Sequence, residues 1–483
     1  MKTYLEPPKE VRVYDEADVI VVGGGPAGIG SALSAARNGA KTILIERFGF
    51  LGGIQTLCSN AILSFVDPEI HGGIIWEIVQ RMEASGKLHE DTYIQKNCHD
   101  TNHVLRENGC YFLDLEYYKH LTETMMLESD VKLMYHSLVV GAICEDHCLK
   151  GVLVETKEGR IAVMGKTVID CTGTGDLVWK SGADCFGEEG INLKGRFGFK
   201  RSGGAGYVSG FYLCGEDYPK FREYARKNPE WDLWHVGREM FAKAKEEGRL
   251  HMSMPYFNIN DYPNGRAWVL GSNYPVPEGH YPWEVDMATK AETELRNQAW
   301  ELVELLRDQV PGFEHVTVEQ SQIQGWGIGN HRMSGEYVLC EQDMMGTFWE
   351  DSVCVSAQVP DVYMADGQTS YPFDLGVMPH DIPYRCLLSK TYDNLMAAGA
   401  SGSYELVPWF AMMHCVQSVC AGEAAGAAGA LAAKQGITPK QLDVSVLQRT
   451  LKAQGICTTI RDLSADCIEK YRIRANTWKP HDN

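Results

Sequence analysis

The chain has 483 residues, 44% hydrophobic and 23% charged, with a formal net charge of −19 from 45 Lys+Arg against 64 Asp+Glu. This is enough apolar material for roughly three units or two large lobes, and it excludes a disordered or fibrous chain. The acidic balance argues against nucleic-acid binding and against docking on an anionic membrane, since both draw on Lys/Arg.

Residues 1–10 hold no apolar run of leader length, and the 15 cysteines include no Cys-x-x-Cys pair. Iron–sulfur and zinc-ribbon spacings are therefore absent and no metal is expected. The cysteines read as small buried hydrophobes in a reducing, cytoplasmic setting. Glycine is in surplus: 49 residues, about 10% of the chain against a usual 7% or so.

Val19–Val22 reads as a strand that runs into Gly23, Gly25 and Gly28, and Pro26–Arg37 as a small-residue helix closing at Gly39. Thr42–Ile45 is a second apolar run and ends in Glu46, an acid about 20 residues past the glycines. Together they make a βαβ dinucleotide-binding unit, a stronger signal than isolated glycines. Gly23 permits the turn, Gly25 lets backbone approach a pyrophosphate, and Gly28 lets helix and strand pack closely. Pro26 and Ala27 open the helix, whose N–H groups and dipole face the phosphates. Glu46 can accept hydrogen bonds from both hydroxyls of an adenosine ribose. Arg47, Gly52, Gly53 and Thr56 follow. A second glycine pair beyond the ribose acid lets backbone lie along a longer ligand, so the expected cofactor is FAD rather than NAD. His71 reads as a turn histidine and Cys58 as packing, so the FAD is expected to be non-covalent.

The Val21-Val22-Gly-Gly-Gly-Pro-Ala-Gly28 start and the Glu46-Arg-x-Gly-x-Leu-Gly-Gly-x-x-Thr56 continuation resemble the FAD-dependent oxidoreductases. More narrowly, they resemble the glutathione-reductase-type branch that includes fumarate-reductase-like flavoproteins. The resemblance takes in residues 18–185, Arg332–Tyr337, Ile382–Leu387 and 394 to about 454. It implies an α/β fold in which a Rossmann-like FAD-binding lobe carries an inserted α+β substrate or capping domain. The lobe is expected from 15–185 and 391–455, the insertion from 186–390, and a tail from 456–483.

Farther along, Val131–Val140, Gly151–Thr156 and Arg160–Ile169 read as three strands of a meander that leads into Asp170–Asp176. The resemblance implies that the loop with Thr172, Gly173 and Asp176 covers the FAD, and that backbone near Leu138 and Val139 meets the adenine. In the insertion, Phe221–Gly248 reads as a mostly solvated helical face and Asp286–Val310 as a long amphipathic helix. Neither Gly204-Ala-Gly206 nor Gly325, Gly327 and Gly329 sits in a second nucleotide fold, so a built-in NAD(P)H domain is not expected. Near the C-terminus a strand ends at Gly399, and Gly422–Ala433 reads as a small-residue helix. Its N-terminal end, with Glu423, Ala424 and Gly426, can present N–H groups to a flavin, or the helix can simply be close-packed core.

The family pattern calls for an arginine where Ala400 stands and another in the loop holding Trp409, Phe410, Met412, Met413 and His414. Without those cations, an apolar or aromatic substrate suits the Tyr404, Trp409, Phe410 and Met413 lining better than a carboxylate. Acid, base or orienting candidates are His331 and Arg332 in a strand-like segment, His380 in a proline-flanked loop, Tyr404, and His414 at the helix entry.

The expected activity is hydride transfer between flavin N5 and a small organic alcohol, ketone or activated alkene. The external electron acceptor or donor is left open, no nucleic-acid or membrane partner is expected, and a homo-oligomer or a redox partner protein is possible. Alternatives are a flavin-binding electron-transfer subunit of a larger complex and a flavin-dependent RNA-modifying protein.

Overall fold

The computed structural model describes residues 3–90, 111–186, 206–228, 231, 237–253, 257–262, 264–277, 279–328, 330–360, 362–363, 369–370 and 377–477. Gly204 and Gly329 of the sequence reading lie outside them.

Arg12–Val22 is the central strand of a seven-stranded sheet. Thr42–Ile45 pairs parallel to it on one side, with Lys132–Met134 parallel beyond. Gly159–Asp170 pairs parallel to it on the other side. That strand is long enough for two further partners. Its first half pairs antiparallel with Cys148–Thr156, and its last three residues pair parallel with Leu395–Ala397. Leu138–Glu145 completes the meander. The single strand expected over Val131–Val140 is thus corrected to two, because His136 takes a left-handed backbone (φ 51°) and turns the chain between them.

Alternation along the central strand decides what covers each face. Val19 and Val21 join an apolar core with Ile29 and Leu33 of the Pro26–Arg37 helix and Ala424 of a long C-terminal helix. Ile20 and Val22 face the other way, into a core with Val152, Val154 and Val163 of the meander. The C-terminal helix is Cys415–Gln435, which starts seven residues before the Gly422 of the sequence reading. It lies against the Pro26–Arg37 helix with almost no space between backbones. A β-carbon on Gly30 would stand 2.3 Å from the Val419 carbonyl oxygen, and one on Gly422 would stand 2.1 Å from that of Ala27.

Gly206–Cys214 is the centre of a second, antiparallel sheet with Asn258–Tyr262, Arg266–Pro275, Thr317–Gln320 and Trp326–Ile328. Its core includes Phe211, Phe221, Phe241, Leu302 and Phe313, drawn in part from helices Tyr218–Lys227, Arg238–Glu246 and Val285–Gln309. The sheet docks on the first lobe through residues 57–59. The Ile323 amide donates to the Leu57 carbonyl at 2.7 Å and the Gly210 amide to that of Cys58 at 2.9 Å. The Trp268 indole donates to the Ser59 carbonyl.

His380 belongs to a strand, His380–Pro383, paired with Ser352–Ser356, which corrects the loop expected there. Val353 and Ile382 of that pair join the same core as the Pro26–Arg37 helix. Among the described residues no helix is long and apolar enough to cross a membrane.

Candidate active site

The parallel strands all end at one edge of the first sheet, at Gly23, Glu46, Tyr135, Cys171 and Ala398. Ligands of open α/β sheets bind at that edge. Gly23 has φ 99°, and a β-carbon on it would stand 2.6 Å from the Cys171 carbonyl oxygen. A β-carbon on Gly28 would stand 1.8 Å from the Gly23 carbonyl oxygen, so strand, turn and helix close up only with glycine at both.

Two helix N-termini converge here. The Pro26–Arg37 helix begins at Gly25 and the Cys415–Gln435 helix at His414; neither has a side-chain cap or an acid in its first turn. Gly399 lies between them, since a β-carbon on it would meet the Ala27 β-carbon at 2.8 Å and the Ser418 Oγ at 3.1 Å. The second glycine pair arrives at the same place. A β-carbon on Gly53 would stand 2.7 Å from the Gly25 Cα. Two bare, positively polarised helix ends on a glycine-lined floor suit a ligand with a pyrophosphate and a ring that gains negative charge. These residues fit FAD.

Glu46, the candidate ribose acid, lies at this edge. Glu46 is buried, and its two carboxylate oxygens accept the Gly24 amide at 2.6 Å and the Phe48 amide at 2.8 Å. Burial holds its pKa above the ordinary value, against the pull of those two N–H groups. Each oxygen retains a lone pair for a ligand hydroxyl. The Ser137 amide donates to the Glu46 carbonyl at 3.0 Å, which brings the start of Leu138–Glu145 beside this acid. Leu138 is exposed there, and Val139 is buried. Arg47 reaches across to the segment between two strands of the second sheet and donates to Gln324 Oε1 at 2.6 Å. The Thr56 hydroxyl donates to the Leu51 carbonyl at 2.9 Å, so it shapes the glycine turn.

The Thr172–Asp176 loop is built by two residues the sequence reading did not single out. Buried Asp170 accepts the Thr172 amide and hydroxyl at 2.9 and 2.7 Å on one oxygen, and the Val178 amide at 2.9 Å on the other. Ser401 Oγ accepts the amides of Gly173 at 3.0 Å and Gly175 at 3.2 Å. Asp170 had a legible signal, an acid that ends an apolar strand before Thr-Gly-x-Gly; Ser401 had none. Asp176 accepts the Thr174 hydroxyl at 3.0 Å, and Gly173 has open space on its β-carbon side.

Glu423, Ala424 and Gly426 are corrected from ligand-facing to helix-packing positions. The helix starts at Cys415, so all three lie more than a turn inside it, where backbone N–H groups are already used. Ala424 is core, and a β-carbon on Gly426 would stand 2.1 Å from the Ser31 carbonyl oxygen. Glu423 accepts the Ile74 amide at 3.0 Å.

The five acid–base and orienting candidates separate. His331 is buried between Trp179 and Trp283, each ring centroid 4.4 Å away, and burial lowers its pKa. His380 is fully buried, with its Nδ1 2.9 Å from the Met378 carbonyl, and burial pushes it down to about 4. Tyr404 is buried beneath Gly402, and desolvation raises its phenol well above the ordinary value. Those two sit in the interior of the lobe. Arg332 is buried with its guanidinium 5.4 Å from the Trp409 ring centroid, and the Trp409 indole donates to the Ala400 carbonyl at 2.9 Å. A cation from a distant strand therefore stands near the position where the sequence carries alanine. His414 is only partly buried, at the start of the Cys415–Gln435 helix, with Phe65 edge-on at 6.3 Å.

The family model described as FAD dependent oxidoreductase matches residues 18–451. Among curated proteins, the chain is similar to the tRNA uridine 5-carboxymethylaminomethyl modification enzyme MnmG of Clostridium botulinum, 31% identical over 182 residues, covering 34% of this chain and 27% of the relative. The Lactobacillus gasseri enzyme of the same name is 29% identical over 198 residues, covering 38% and 28%. The match thus spans little more than a quarter of these relatives. Among solved structures, a geranylgeranyl bacteriochlorophyll reductase-like protein from Thermoplasma acidophilum has a TM-score of 0.47 at 14% identity, covering 96% of this chain and 97% of that one. The p-nitrophenol 4-monooxygenase PnpA of Pseudomonas putida has 0.46 at 11%, covering 96% and 100%.

Proposed function

The chain belongs to the FAD-dependent oxidoreductase family, an enzyme class with FAD as cofactor, and from that premise we propose that it moves a hydride to or from a small organic alcohol, ketone or activated alkene. Bound FAD supplies the two-electron acceptor or donor. The chain's own residues divide the remaining work. Glu46 holds the ribose hydroxyls and the helix end at Gly25 takes the pyrophosphate. The helix end at His414 favours negative charge at the ring.

The observation that carries this reading is the place of His414, a partly buried residue at the start of the second converging helix. In the alcohol direction His414 accepts the hydroxyl proton as the substrate carbon gives up its hydride; in the alkene direction it returns a proton. Trp409, Phe410 and Met413 offer an apolar wall, with Arg332 behind Trp409. Anaerobic mixing of the holoprotein with panels of alcohols, and of its photoreduced form with ketones and enones, tests this. Loss or return of the flavin absorbance with one panel is the expected result. No response to either panel, with turnover seen only inside a complex, favours an electron-transfer subunit.

A second reading, modification of tRNA, takes its support from the MnmG likeness. The net charge of −19 opposes it. A salt-dependent gel shift with tRNA decides between the two.

A further inference from the structure

His414 opens the Cys415–Gln435 helix, yet its Nε2 atom is covered by protein. A neighbouring ring is Phe65, edge-on to the imidazole with centroids 6.3 Å apart. Phe65 is buried and holds a left-handed backbone, φ 61°. A bulky side chain seldom accepts that conformation, because its β-carbon crowds the following carbonyl oxygen. It persists only where the surroundings over-determine it.

Two restraints do so here. At the bend, Gln358 Nε2 donates to the carbonyls of Ser64 at 3.4 Å and Phe65 at 3.3 Å. Two residues on, Asp67 is anchored through its backbone and its side chain. Its amide donates to His71 Nδ1 at 3.0 Å, and its carbonyl accepts the His71 amide at 2.6 Å. Its buried carboxylate accepts the Lys470 ammonium and the Tyr471 hydroxyl on one oxygen, each at 3.1 Å. Those two residues belong to the last helix, Ala465–Thr477, in the segment that the sequence reading left as a tail. The start of that helix is tied to the same turn, since the Ser464 amide and hydroxyl donate to the two oxygens of Glu69.

A cation and a hydroxyl on one buried carboxylate oxygen make a strong tether. Releasing it lets residue 65 relax towards the ordinary backbone region, and its ring then leaves the imidazole. We propose that Phe65 is a gate over His414, and that Lys470 and Tyr471 are positioning residues that hold it shut through Asp67. Swinging Phe65 away uncovers the imidazole, and the C-terminal helix sets how often that happens. The gate's part in turnover rests on His414 as the proton carrier, whereas its test reads only exposure of the imidazole.

The full-length holoprotein is treated with diethyl pyrocarbonate, which acylates accessible neutral imidazoles, and each histidine is followed by peptide mass spectrometry. Exposed His120 and fully buried His380 are the internal standards. Lys470→Met and Tyr471→Phe should each label His414 about tenfold faster than wild type, from loss of one hydrogen bond to a buried carboxylate. His120 and His380 should be unchanged. Lys470→Arg keeps the cation and should label near the wild-type rate. Phe65→Gly accepts the left-handed backbone without strain and removes the ring. His414 should label fastest in it, and adding Lys470→Met should change nothing further. That coupling separates a gate from general loosening.

Unchanged labelling of His414 in the two tail variants overturns the proposal, as does equal acceleration of His380 or an additive double variant. If the tail variants do not fold, Phe65→Gly decides alone, and protection of His414 that survives loss of the ring refutes the gate. If labelling follows the expected pattern while His414→Gln leaves turnover intact, the gate stands and the proton-carrier reading fails.

Discussion

The carboxylate of Glu423 accepts the Ile74 amide proton at 3.0 Å, tying the middle of the Cys415–Gln435 helix to the first turn of Gly73–Ala84. Burial pushes this carboxyl up to about 8; the Ile74 N–H and Arg37 oppose the shift, and Glu77 adds to it. The folded state therefore holds this proton more tightly than the unfolded chain, whose carboxyl titrates near 4.5. The stability it contributes is complete below the unfolded value and is lost as pH rises through the folded one. Glu423→Gln keeps an oxygen for Ile74 and removes the ionisation. It should flatten the fall in stability between about pH 5 and 8 and gain more than about 1 kcal/mol at the upper end. Urea midpoints across that range check it, and parallel curves for the two proteins would count against it.

Two glycines of the same helix make a controlled pair. A β-carbon on Gly426 would stand 2.1 Å from the Ser31 carbonyl oxygen, which is backbone and cannot swing aside. One on Gly429 would meet only methyl groups of Thr167 and Val19, at 3.3 Å. Gly426→Ala should cost about 1–3 kcal/mol of stability, and Gly429→Ala clearly less. Equal losses on urea denaturation would mean that the close contact of the two helices is not what demands glycine.

Both oxygens of Glu46 already accept backbone amides, and an amide side chain can offer an acceptor to only one of them. Glu46→Gln should weaken FAD binding by about ten- to a hundredfold. Flavin fluorescence titration of the apoprotein measures this; an unchanged affinity would remove Glu46 from the ribose site.

His414 and His331 differ in a way that kinetics can read. His414→Gln should lower kcat by about 10²- to 10⁴-fold. His331→Phe keeps a flat ring between Trp179 and Trp283, so kcat should change little. The opposite pattern would make His331 the group that moves the proton.

The nucleotide edge of the fold was legible because its determinants are contiguous. Strand, glycine turn, helix and acid occupy residues 12–46, and each residue's task is set by neighbours a few positions away. The long amphipathic helix was legible for the same local reason, its apolar periodicity surviving as Val285–Gln309. The C-terminal glycines left two readings, a flavin contact or a close-packed core, because small residues report close approach without naming what approaches. Gly422 and Gly426 press on the Pro26–Arg37 helix; that helix, and not the cofactor, occupies the space a side chain would fill.

By itself, then, the sequence determined a dinucleotide lobe and the kind of cofactor it holds, since those rest on local backbone geometry and short-range order. Only the tertiary structure decided that His380 is fully buried while His414 is only partly so, that Arg332 stands over Trp409, and that Ser401 holds the Gly173–Gly175 loop. Each of these depends on burial and on contacts between residues far apart in the chain. Neither can be read from spacing, because desolvation and packing exist only once the elements have closed on one another.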